Sequence, residues 1–466
     1  MDGFQAETLR RLPLAQAVFH LFSHVLDDRH LGDLFERHRG RCYERELSFA
    51  EVVYLLRDAL LVHEGSGNAS FTAARMSGAL PVTVKSVYEK LGRFPLELSL
   101  GLLRETSGKL LGLMPEGEDR LAASLAGLTV IAFDGKKIKK AAKRLKALRG
   151  LPGKMLGGKL LAAMHVRNGV ALAIGADPDG ERNDVPLVPQ LVEQVRGLIP
   201  DPILWMGDRQ FGNLDLAALL SQRQDHFLLR CTTTLKFYPD LQRPAQEGID
   251  GSGRRWVQRW GWIGGEREKR RRYVRQITLY RPGEKDDVIL ITDLLDETLY
   301  PATDLLAAYL LRWEIECMFQ KVTEVFDLQK LIGSTPNGMI FQSAFCFVMY
   351  NLIEVVRAYV AQAAGKAVHE VSTEKLFDSV HKQLTAWEEL GEPSYAAAYF
   401  QPPLGTKQLK QMLGRLLSGV WTDRWIKAVN KKSRPHQPKA RVKPGHGGHT
   451  SVWRVLQAHK QKTGRP

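Results

Sequence analysis

Three carboxylates in this sequence stand where the local pattern would bring them to one place. Asp134 follows the apolar run 128–133, and Asp208 follows the apolar run 203–207, so each is expected at the end of a strand. Glu316 lies inside a segment with helical spacing. Acids at two strand ends and on one helix can meet at the edge of an α/β sheet. Like charges at close range need a shared cation, and two Mg²⁺ ions, with Mn²⁺ as a possible substitute, are the usual solution for a phosphodiester substrate.

In chemistry of that kind the three acids would divide the two metal ions between them. Asp134 would bridge both ions, Asp208 would hold one and Glu316 the other. Taken singly, an Asp after a strand is also typical of a helix N-cap or a turn. The prediction of a catalytic site that cuts or joins nucleic acid therefore depends on the three residues coming together.

The helical segment around Glu316 strengthens this prediction. Tyr309, Arg312 and Glu316 fall at i, i+3 and i+7, which places them on one face of a helix. Arg312 could then bind a phosphate while Glu316 holds a metal ion beside it. Glu314 points elsewhere and is interpreted as a solvated charge.

Composition favours a polyanionic partner inside a cell. The 466 residues carry a formal net charge of +15 and a sequence pI of about 9.6. The four cysteines are far apart in the sequence, which suits a reducing compartment, and no N-terminal segment resembles a secretory leader. The apolar run 343–354 is too short for a membrane span and predicts a core helix. We therefore expect a cytoplasmic protein that does not enter a membrane.

Residues 1–125 have the apolar spacing of helices, as in the runs 14–26 and 49–61. Two further helical segments, 71–78 and 82–93, are separated by a tight turn that contains Gly78 and Pro81. This pair is compatible with a helix-turn-helix reader of the major groove, and equally with two core helices of a bundle.

Residues 126–355 are predicted to form an α/β catalytic core. Short apolar runs bounded by Gly, Asp, Asn or Pro indicate strands, and Asn168-Gly169 predicts a hairpin turn between two of them. A helical stretch, 187–198, precedes the strand that ends at Asp208. Antiparallel strands first and parallel strands after match a ribonuclease H-like mixed sheet.

The remaining segments differ in composition. Residues 232–287 are polar, aromatic and basic with partial alternation, which indicates a β-rich insertion within the core. Residues 356–425 are expected to be a helical C-terminal region. Residues 426–466 form a basic tail without acidic residues, and we expect it to be mobile until it binds.

A run of basic residues follows Asp134 directly, from Lys136 and Lys137 to Arg149. At the mouth of the site it could neutralise backbone phosphates of DNA. The alternative is an ordinary surface helix.

Three segments of the sequence resemble a known protein family. The strand 130–134, the run Trp205-Met-Gly-Asp208-Arg209 and the pattern Tyr309-x-x-Arg312-x-x-x-Glu316 resemble the DDE transposases of bacterial insertion sequences, specifically the IS-four group. That group carries the signature Tyr-x₂-Arg-x₃-Glu-x₆-Lys. The last position here is Thr323, and the nearest lysine is Lys321. The resemblance covers roughly residues 127 to 355.

The resemblance implies a cut-and-paste enzyme in the bacterial cytoplasm and nucleoid that binds terminal inverted repeats and target DNA as a homodimer. It implies that residues 1–125 bind the transposon ends. It also implies a tryptophan of the insertion that holds a flipped base, and phosphate-binding side chains beside the catalytic residues. The residues expected to contact DNA are Tyr309, Arg312, Lys321, Arg209, Arg230, Lys136, Lys137, Trp256, Trp260 and Trp262.

Two alternatives remain open at the level of sequence. The same fold could serve a metal-dependent nuclease that hydrolyses DNA without strand transfer. A DNA-binding protein descended from a transposase is the non-enzymatic alternative, with Thr323 as its first defect. Three retained acids count against that alternative, because a binding protein gains nothing from mutually repelling carboxylates.

Overall fold

The computed structural model describes residues 10–117, 120–231, 235–283, 286–325, 333–390, 404–427 and 449–463. Its strands are β1 (Thr129–Lys137), β2 (Met155–Leu156), β3 (Lys159–His165), β4 (Ala171–Asp177), β5 (Ile203–Gly207), β6 (His226–Arg230), β7 (Phe237–Pro239), β8 (Gln246–Ile249), β9 (Arg255–Ile263), β10 (Arg272–Leu279), β11 (Val288–Thr292) and β12 (Thr450–Ser451). Ten of them form one sheet in the order β4-β3-β1-β5-β6-β11-β10-β9-β7, with β8 paired to β9.

The first half of this sheet has the predicted mixture of strand directions. β1 pairs with β3, and β3 with β4, in antiparallel fashion, whereas β1, β5 and β6 are parallel. These strands read as continuous apolar runs because both faces of the sheet are covered. The β3–β4 hairpin turns at Gly169, whose φ of +70° is the conformation that the Asn-Gly sequence predicts.

The insertion is rich in β-structure, yet it does not form a layer of its own. β11 pairs with β6 on one side and with β10 on the other, so the strands between residues 237 and 279 extend the central sheet. Alternation along β9 and β10 predicts strands but not their partners, and the partner here is the edge of the core itself.

Helices cover the sheet and surround it. They are α1 (Pro13–Val25), α2 (Asp28–His38), α3 (Phe49–Leu61), α4 (Gly67–Met76), α5 (Val84–Arg93), α6 (Leu96–Leu111), α7 (Val188–Arg196), α8 (Leu214–Leu220), α9 (Ala302–Leu311), α10 (Trp313–Glu324), α11 (Pro336–Ala363), α12 (Thr373–Leu390), α13 (Thr406–Leu417) and α14 (Val452–Thr463). The N-terminal region is helical, as predicted. Its helices α5 and α6 pack against α11, and α6 also packs against β4, so this region shares the core of the sheet.

The buried helix α11 is longer than the predicted run 343–354, at 28 residues. Its length and mean hydropathy of 1.6 would suit a membrane span, but its most apolar window is completely buried inside the protein. Asn351 ties it to β4 by exchanging two hydrogen bonds with the backbone of Ala171, at 2.9 and 2.8 Å. The expected boundary at residue 355 falls inside this helix, which joins the core to the C-terminal helices.

Part of the predicted basic tail is folded onto the core. Strand β12 pairs with β2, and Arg454 of α14 forms ion pairs with Asp179, at 2.8 Å, and with Glu181. Residues 449–463 are therefore docked, where the sequence indicates a mobile tail. The basic clusters 431–434 and 439–443 lie outside the described residues.

Candidate active site

The register of the parallel strands β1 and β5 places two of the carboxylates side by side. Phe133 is paired with Gly207, and each is followed by an aspartate, Asp134 and Asp208. A side chain at position 207 would lie 2.8 Å from the ring of Phe133, so glycine allows the two strands to approach here. The adjacency of the two acids follows from this register.

Asp134 lies within its strand and not at the end, which corrects the prediction from the apolar run. β1 continues to Lys137 because β3 pairs with it there, after β5 has ended. The Asp134 carboxylate accepts a hydrogen bond from the backbone N–H of Gly135, at 2.8 Å. A Cβ atom at position 135 would collide with the carboxylate of Asp184, which is buried in an ion pair with Lys159 at 2.6 Å.

The third carboxylate comes from a helix that starts later than predicted. The segment with helical spacing is two helices, α9 and α10, which meet at Arg312. Arg312 keeps helical dihedrals, with φ −53° and ψ −32°, and its N–H bonds to the carbonyl of Tyr309. The change of helix leaves Tyr309, Arg312 and Glu316 in one neighbourhood.

Arg312 is the cation at the centre of the acids. Its guanidinium donates to Glu316 Oε1 at 3.1 Å, and the residue is only 8% exposed. Burial lowers the pKa of Arg312, but the neighbouring Tyr309, Asp208 and Asp134, together with the bond to Glu316, outweigh burial and raise it. The guanidinium therefore stays charged and partly compensates the acids.

The compensation is incomplete at Asp134. Burial raises its pKa to about 6, the Gly135 hydrogen bond and Arg312 act against this rise, and the charges of Glu316 and Asp208 add to it. A cation placed next to Asp134 would therefore stabilise the charged form of its carboxyl group. The structure therefore brings Asp134, Asp208 and Glu316 within electrostatic range of one another.

The donor set suits a divalent metal ion, although the acids do not form a closed cluster. Among the residues that the structure describes, no three His, Cys, Asp or Glu side chains stand close enough together to hold a metal ion. Three carboxylates supply the hard oxygen donors that Mg²⁺ and Mn²⁺ prefer. Two nitrogen atoms of Arg312, Nε and Nη1, are buried without hydrogen-bond partners. Both can therefore still donate a hydrogen bond to a further acceptor.

A pocket of about 450 Å³ opens beside Asp134 and Glu316. Lys136 is the cation among the described residues that line it, and its ammonium lies 5.6 Å from the centre of the Phe319 ring. Trp313 also lines this carboxylate pocket and is 60% exposed, so its indole can stack on an unpaired base. Sequence reasoning missed Trp313, because its spacing places it off the predicted catalytic face.

Tyr309 is buried in this structure, and its predicted contact with DNA stays a prediction. It is 7% exposed, and burial raises its pKa to about 12. The Arg312 guanidinium lies 5.7 Å from the centre of its ring. Tyr309 therefore supports Arg312 and does not reach a ligand in this conformation.

Lys321 does not line the carboxylate pocket, and its predicted contact with DNA stays a prediction. Its ammonium lies 3.6 Å from Glu354 Oε1 and 5.6 Å from the centre of the Tyr350 ring. Thr323, at the signature position, does line the carboxylate pocket, and its hydroxyl donates to the carbonyl of Phe319. The two positions thus face opposite sides of α10.

Arg209 and Arg230 lie beside the strands as predicted, but both have protein partners. Arg209 forms a half-exposed ion pair with Asp286 at 3.1 Å, and Arg230 donates to the carbonyl of Asp287 at 3.4 Å. Lys137 is exposed and lines a second cleft next to the carboxylate pocket.

The three tryptophans of β9 are not equally available. Trp260 is fully buried under the guanidinium of Arg243, which lies 3.7 Å from the ring centre, so Trp260 cannot stack on a base in this conformation. Trp256 and Trp262 are half-buried. Trp262 packs edge-on against Tyr273, and its ring centre lies 4.4 Å from Arg271. The prediction that one of these tryptophans stacks on a base stays a prediction, and Trp256 and Trp262 are the more accessible candidates.

Known proteins that are similar to this chain include transposases. The family model of the Transposase DDE domain matches residues 126–352, slightly less than half of the chain, and this match supports a DDE transposase that acts as an enzyme on DNA. No curated protein sequence matches the chain. A solved structure that resembles it is the piggyBac transposase synaptic complex with hairpin DNA, determined by cryo-EM. The identity is 15% and the TM-score 0.34, over 89% of this chain and 78% of that one, a likeness too slight to argue from.

Proposed function

We propose that this protein is a DNA transposase that cuts and joins phosphodiester bonds with divalent metal ions. The observation that carries the proposal is the placement of Asp134 and Asp208 after paired residues of β1 and β5, with Glu316 bound to Arg312 and lining an open pocket together with Asp134. The match of residues 126–352 to the Transposase DDE domain supports it. On this basis we also propose that the mixed half of the sheet is a ribonuclease H-like core.

The residues at the site have separate roles in this proposal. Asp134, Asp208 and Glu316 would hold two Mg²⁺ ions, which when bound activate the attacking oxygen and stabilise the leaving one. Arg312 would exchange Glu316 for a phosphate oxygen of the DNA. Lys136 adds positive charge at the pocket wall, and Trp313 offers a surface for an unpaired base.

The two steps use the same kind of displacement. In cleavage, a water oxygen bonds to phosphorus and the bond from phosphorus to the 3′-oxygen breaks, which leaves a 3′-hydroxyl group. In joining, that 3′-hydroxyl attacks a phosphate of the target DNA and releases a different 3′-oxygen. Each attacking hydroxyl loses one proton and each leaving oxygen gains one.

The partners follow from this chemistry. We propose that the chain binds terminal inverted repeats and target DNA, that it works as a homodimer because two ends must be joined, and that it does so at the nucleoid. We assign end binding to the helical region 1–125. The signature group of the IS-four family remains part of the proposal, with Thr323 as its departure.

One observation favours a second function. Lys321 is bound to Glu354, and Thr323 carries no charge. Neither position therefore supplies a positive charge to the carboxylate pocket. A retired transposase that only binds DNA would show this defect. The open carboxylate pocket argues for retained activity.

The experiment that tests the proposal compares the parent protein with Glu316→Gln. Each is incubated with Mg²⁺, DNA that carries the terminal repeats of its own element, and a supercoiled target. We expect end cleavage and joining by the parent and neither reaction by the variant. Cleavage without joining would replace the proposal with a metal-dependent nuclease. Metal-independent binding without cleavage would replace it with the retired binding protein.

A further inference from the structure

The loop between α2 and α3 presents arginines and an exposed aromatic ring to solvent. Arg41, Tyr43 and Arg45 are all exposed, and Tyr43 is 60% exposed. The Arg45 guanidinium lies 5.0 Å from the centre of the Tyr43 ring and donates to its hydroxyl at 3.2 Å. A cation stacked on an exposed ring offers both charge and a flat face to a ligand.

Hydrogen bonds hold this loop in place. The Leu47 carbonyl accepts from the Lys90 ammonium of α5, and the Glu44 carboxylate accepts from the N–H of Phe49 at the start of α3. Arg39 donates to the Cys42 carbonyl at 3.0 Å. The backbone that carries the arginines is therefore held before any ligand arrives, which lowers the entropy lost on binding.

The loop and α5 enclose a cavity of about 870 Å³, here named the arginine cleft. Its lining carries five cations and one carboxylate: Arg39, Arg41, Arg45, Lys90 and Arg93, with Glu46. No carboxylate among the described residues pairs with Arg41 or Arg45. A cleft with this excess of guanidinium groups suits the phosphates of a polyanion.

Helix α5, the second helix of the pair compatible with a helix-turn-helix, is less suited to phosphate contacts than the loop. Its Lys85 and Arg93 both face Glu89, at 3.6 and 3.8 Å, and its Lys90 is committed to Leu47. The exposed side of α5 thus presents a carboxylate between two paired cations. In the loop, Arg39 pairs with Glu36 at 2.8 Å, whereas Arg41 and Arg45 have no carboxylate partner among the described residues.

A second basic surface lies between α5 and the carboxylates. On the other side of α5, Arg144 lies 5.0 Å from the centre of the Tyr88 ring. Arg144 also lines a cleft of about 640 Å³, here named the lysine cleft, whose charged residues are Lys136, Lys137, Lys139, Lys140, Lys143, Arg144 and Lys154. The lysine cleft contains no acidic residue in its described lining and shares Lys136 with the carboxylate pocket.

We propose that the arginine cleft binds the backbone of double-stranded DNA, and that the bound DNA continues along the lysine cleft to the carboxylates. Arg41 and Arg45 contact phosphates, and Tyr43 packs against the sugar-phosphate edge. The first part of this inference stands on the cleft itself. The direction of the DNA towards Asp134 rests on the proposed function.

The test measures binding without cleavage. A fluorescently labelled duplex of mixed sequence is titrated with the protein in EDTA, at several salt concentrations, and its anisotropy is followed. The variants are Arg41→Ala/Arg45→Ala and a matched control, Lys410→Ala/Arg415→Ala, which removes two exposed charges from α13. We expect the first variant to bind more weakly and to lower the slope of log K against log salt by about two, since each phosphate contact contributes about 0.9. The control keeps the parent slope.

Equal behaviour of the two double variants, whether both weaken or neither does, would overturn the proposal. Circular dichroism melts of both variants check that the exposed substitutions leave the fold intact. Failure of the proposed function looks different: the parent then does not cleave DNA in Mg²⁺, while the difference between the two variants in EDTA persists. A hydroxyl-radical footprint that does not extend from the arginine cleft to the cleavage point would overturn the second part.

Discussion

The two sides of helix α10 carry charged clusters that differ in how their charges are compensated. On one side Glu314 pairs with Arg120 at 2.6 Å, and Lys321 lies beside Glu354. On the other side Glu316 faces Arg312 together with Asp134 and Asp208. Glu314 and Glu316 are two residues apart, yet the first belongs to a paired network and the second to an open site.

On the paired side, the central acid Glu354 is buried and bound by neighbouring side chains. Glu354 is fully buried, and it bonds to Arg357 at 2.6 Å and to the Thr373 hydroxyl at 2.8 Å. Burial raises the pKa of Glu314, but the bond and charge of Arg120 outweigh it, so the pKa lies below its ordinary value. On this side Glu314 has Arg120 as its counter-charge, and Glu354 has Arg357 and Lys321.

The open side keeps more acid than cation. Arg312 is the cation that the three acids share, and the pKa of Asp134 stays raised to about 6. An arrangement that leaves a buried carboxyl short of positive charge costs stability, and active sites are where such a cost is retained. Both sides of α10 carry charged residues. The candidate site differs from the structural side because its acids have too few neighbouring cations.

The largest expected effect concerns the open side. Asp208→Asn removes one of the oxygens proposed to hold a metal ion, without a change of size, and we expect the rate of Mg²⁺-dependent cleavage to fall at least about 10³-fold. Single-turnover cleavage of labelled end DNA measures this rate. Asp378→Asn, an exposed residue of α12, serves as the control. Cleavage by Asp208→Asn at the parent rate would remove Asp208 from the site.

The paired side should respond in stability and not in catalysis. Glu354→Gln leaves Arg357 and Lys321 facing a neutral side chain in a buried place, and we expect a loss of about 3–5 kcal/mol in the free energy of unfolding. Urea denaturation measures it. The cleavage rate per folded molecule should stay near that of the parent. A loss below about 1 kcal/mol would show that the network is not needed.

The pKa of Asp134 gives a pH-dependent prediction for the metal-free protein. Because folding raises this pKa from 3.8 to about 6, the stability associated with the protonated carboxyl is present below pH 3.8 and is lost as the pH rises through 6. Asp134→Asn stays neutral, so in EDTA it should be more stable than the parent by about 1–3 kcal/mol near pH 8, with no gain near pH 4. Urea titrations at both pH values measure the gain. An equal gain at both would assign it to packing instead.

The smallest effect separates Lys321 from Lys136. Lys321→Met should lower stability by about 1 kcal/mol and leave DNA affinity and cleavage within about twofold of the parent, because its ammonium faces Glu354. Lys136→Met should weaken cleavage, because Lys136 lines the carboxylate pocket. If Lys321→Met lowered cleavage tenfold while Lys136→Met did not, the two assignments would be reversed.

The sequence predicts the elements of the site better than their contacts. The apolar runs before Asp134 and Asp208 predict parallel neighbours, and the register of β1 with β5 makes the two acids adjacent. The same local patterns cannot show that Lys321 turns to Glu354, which is 33 residues further along the chain. Side-chain direction at that position is decided by tertiary packing, and no local pattern carries it.

The insertion shows the same division between local pattern and packing. Alternation in β9 predicts a strand with all three tryptophans on one face, and burial alone distinguishes Trp260 from Trp256 and Trp262. The arginines of the α2–α3 loop, which lie between residues 37 and 45, were not among the residues singled out from the sequence. Their importance depends on the cleft that the loop forms with α5, which only the fold provides.

The two glutamates of α10 provide the most direct test of the proposed active site. Glu314→Gln and Glu316→Gln make the same chemical change two residues apart on one helix. We would measure Mg²⁺-dependent cleavage and joining of end DNA by both, beside the parent. The account predicts that Glu316→Gln loses both reactions and Glu314→Gln retains them with a lower melting temperature. Retained activity in Glu316→Gln, or loss in both variants at equal folded fraction, would contradict it.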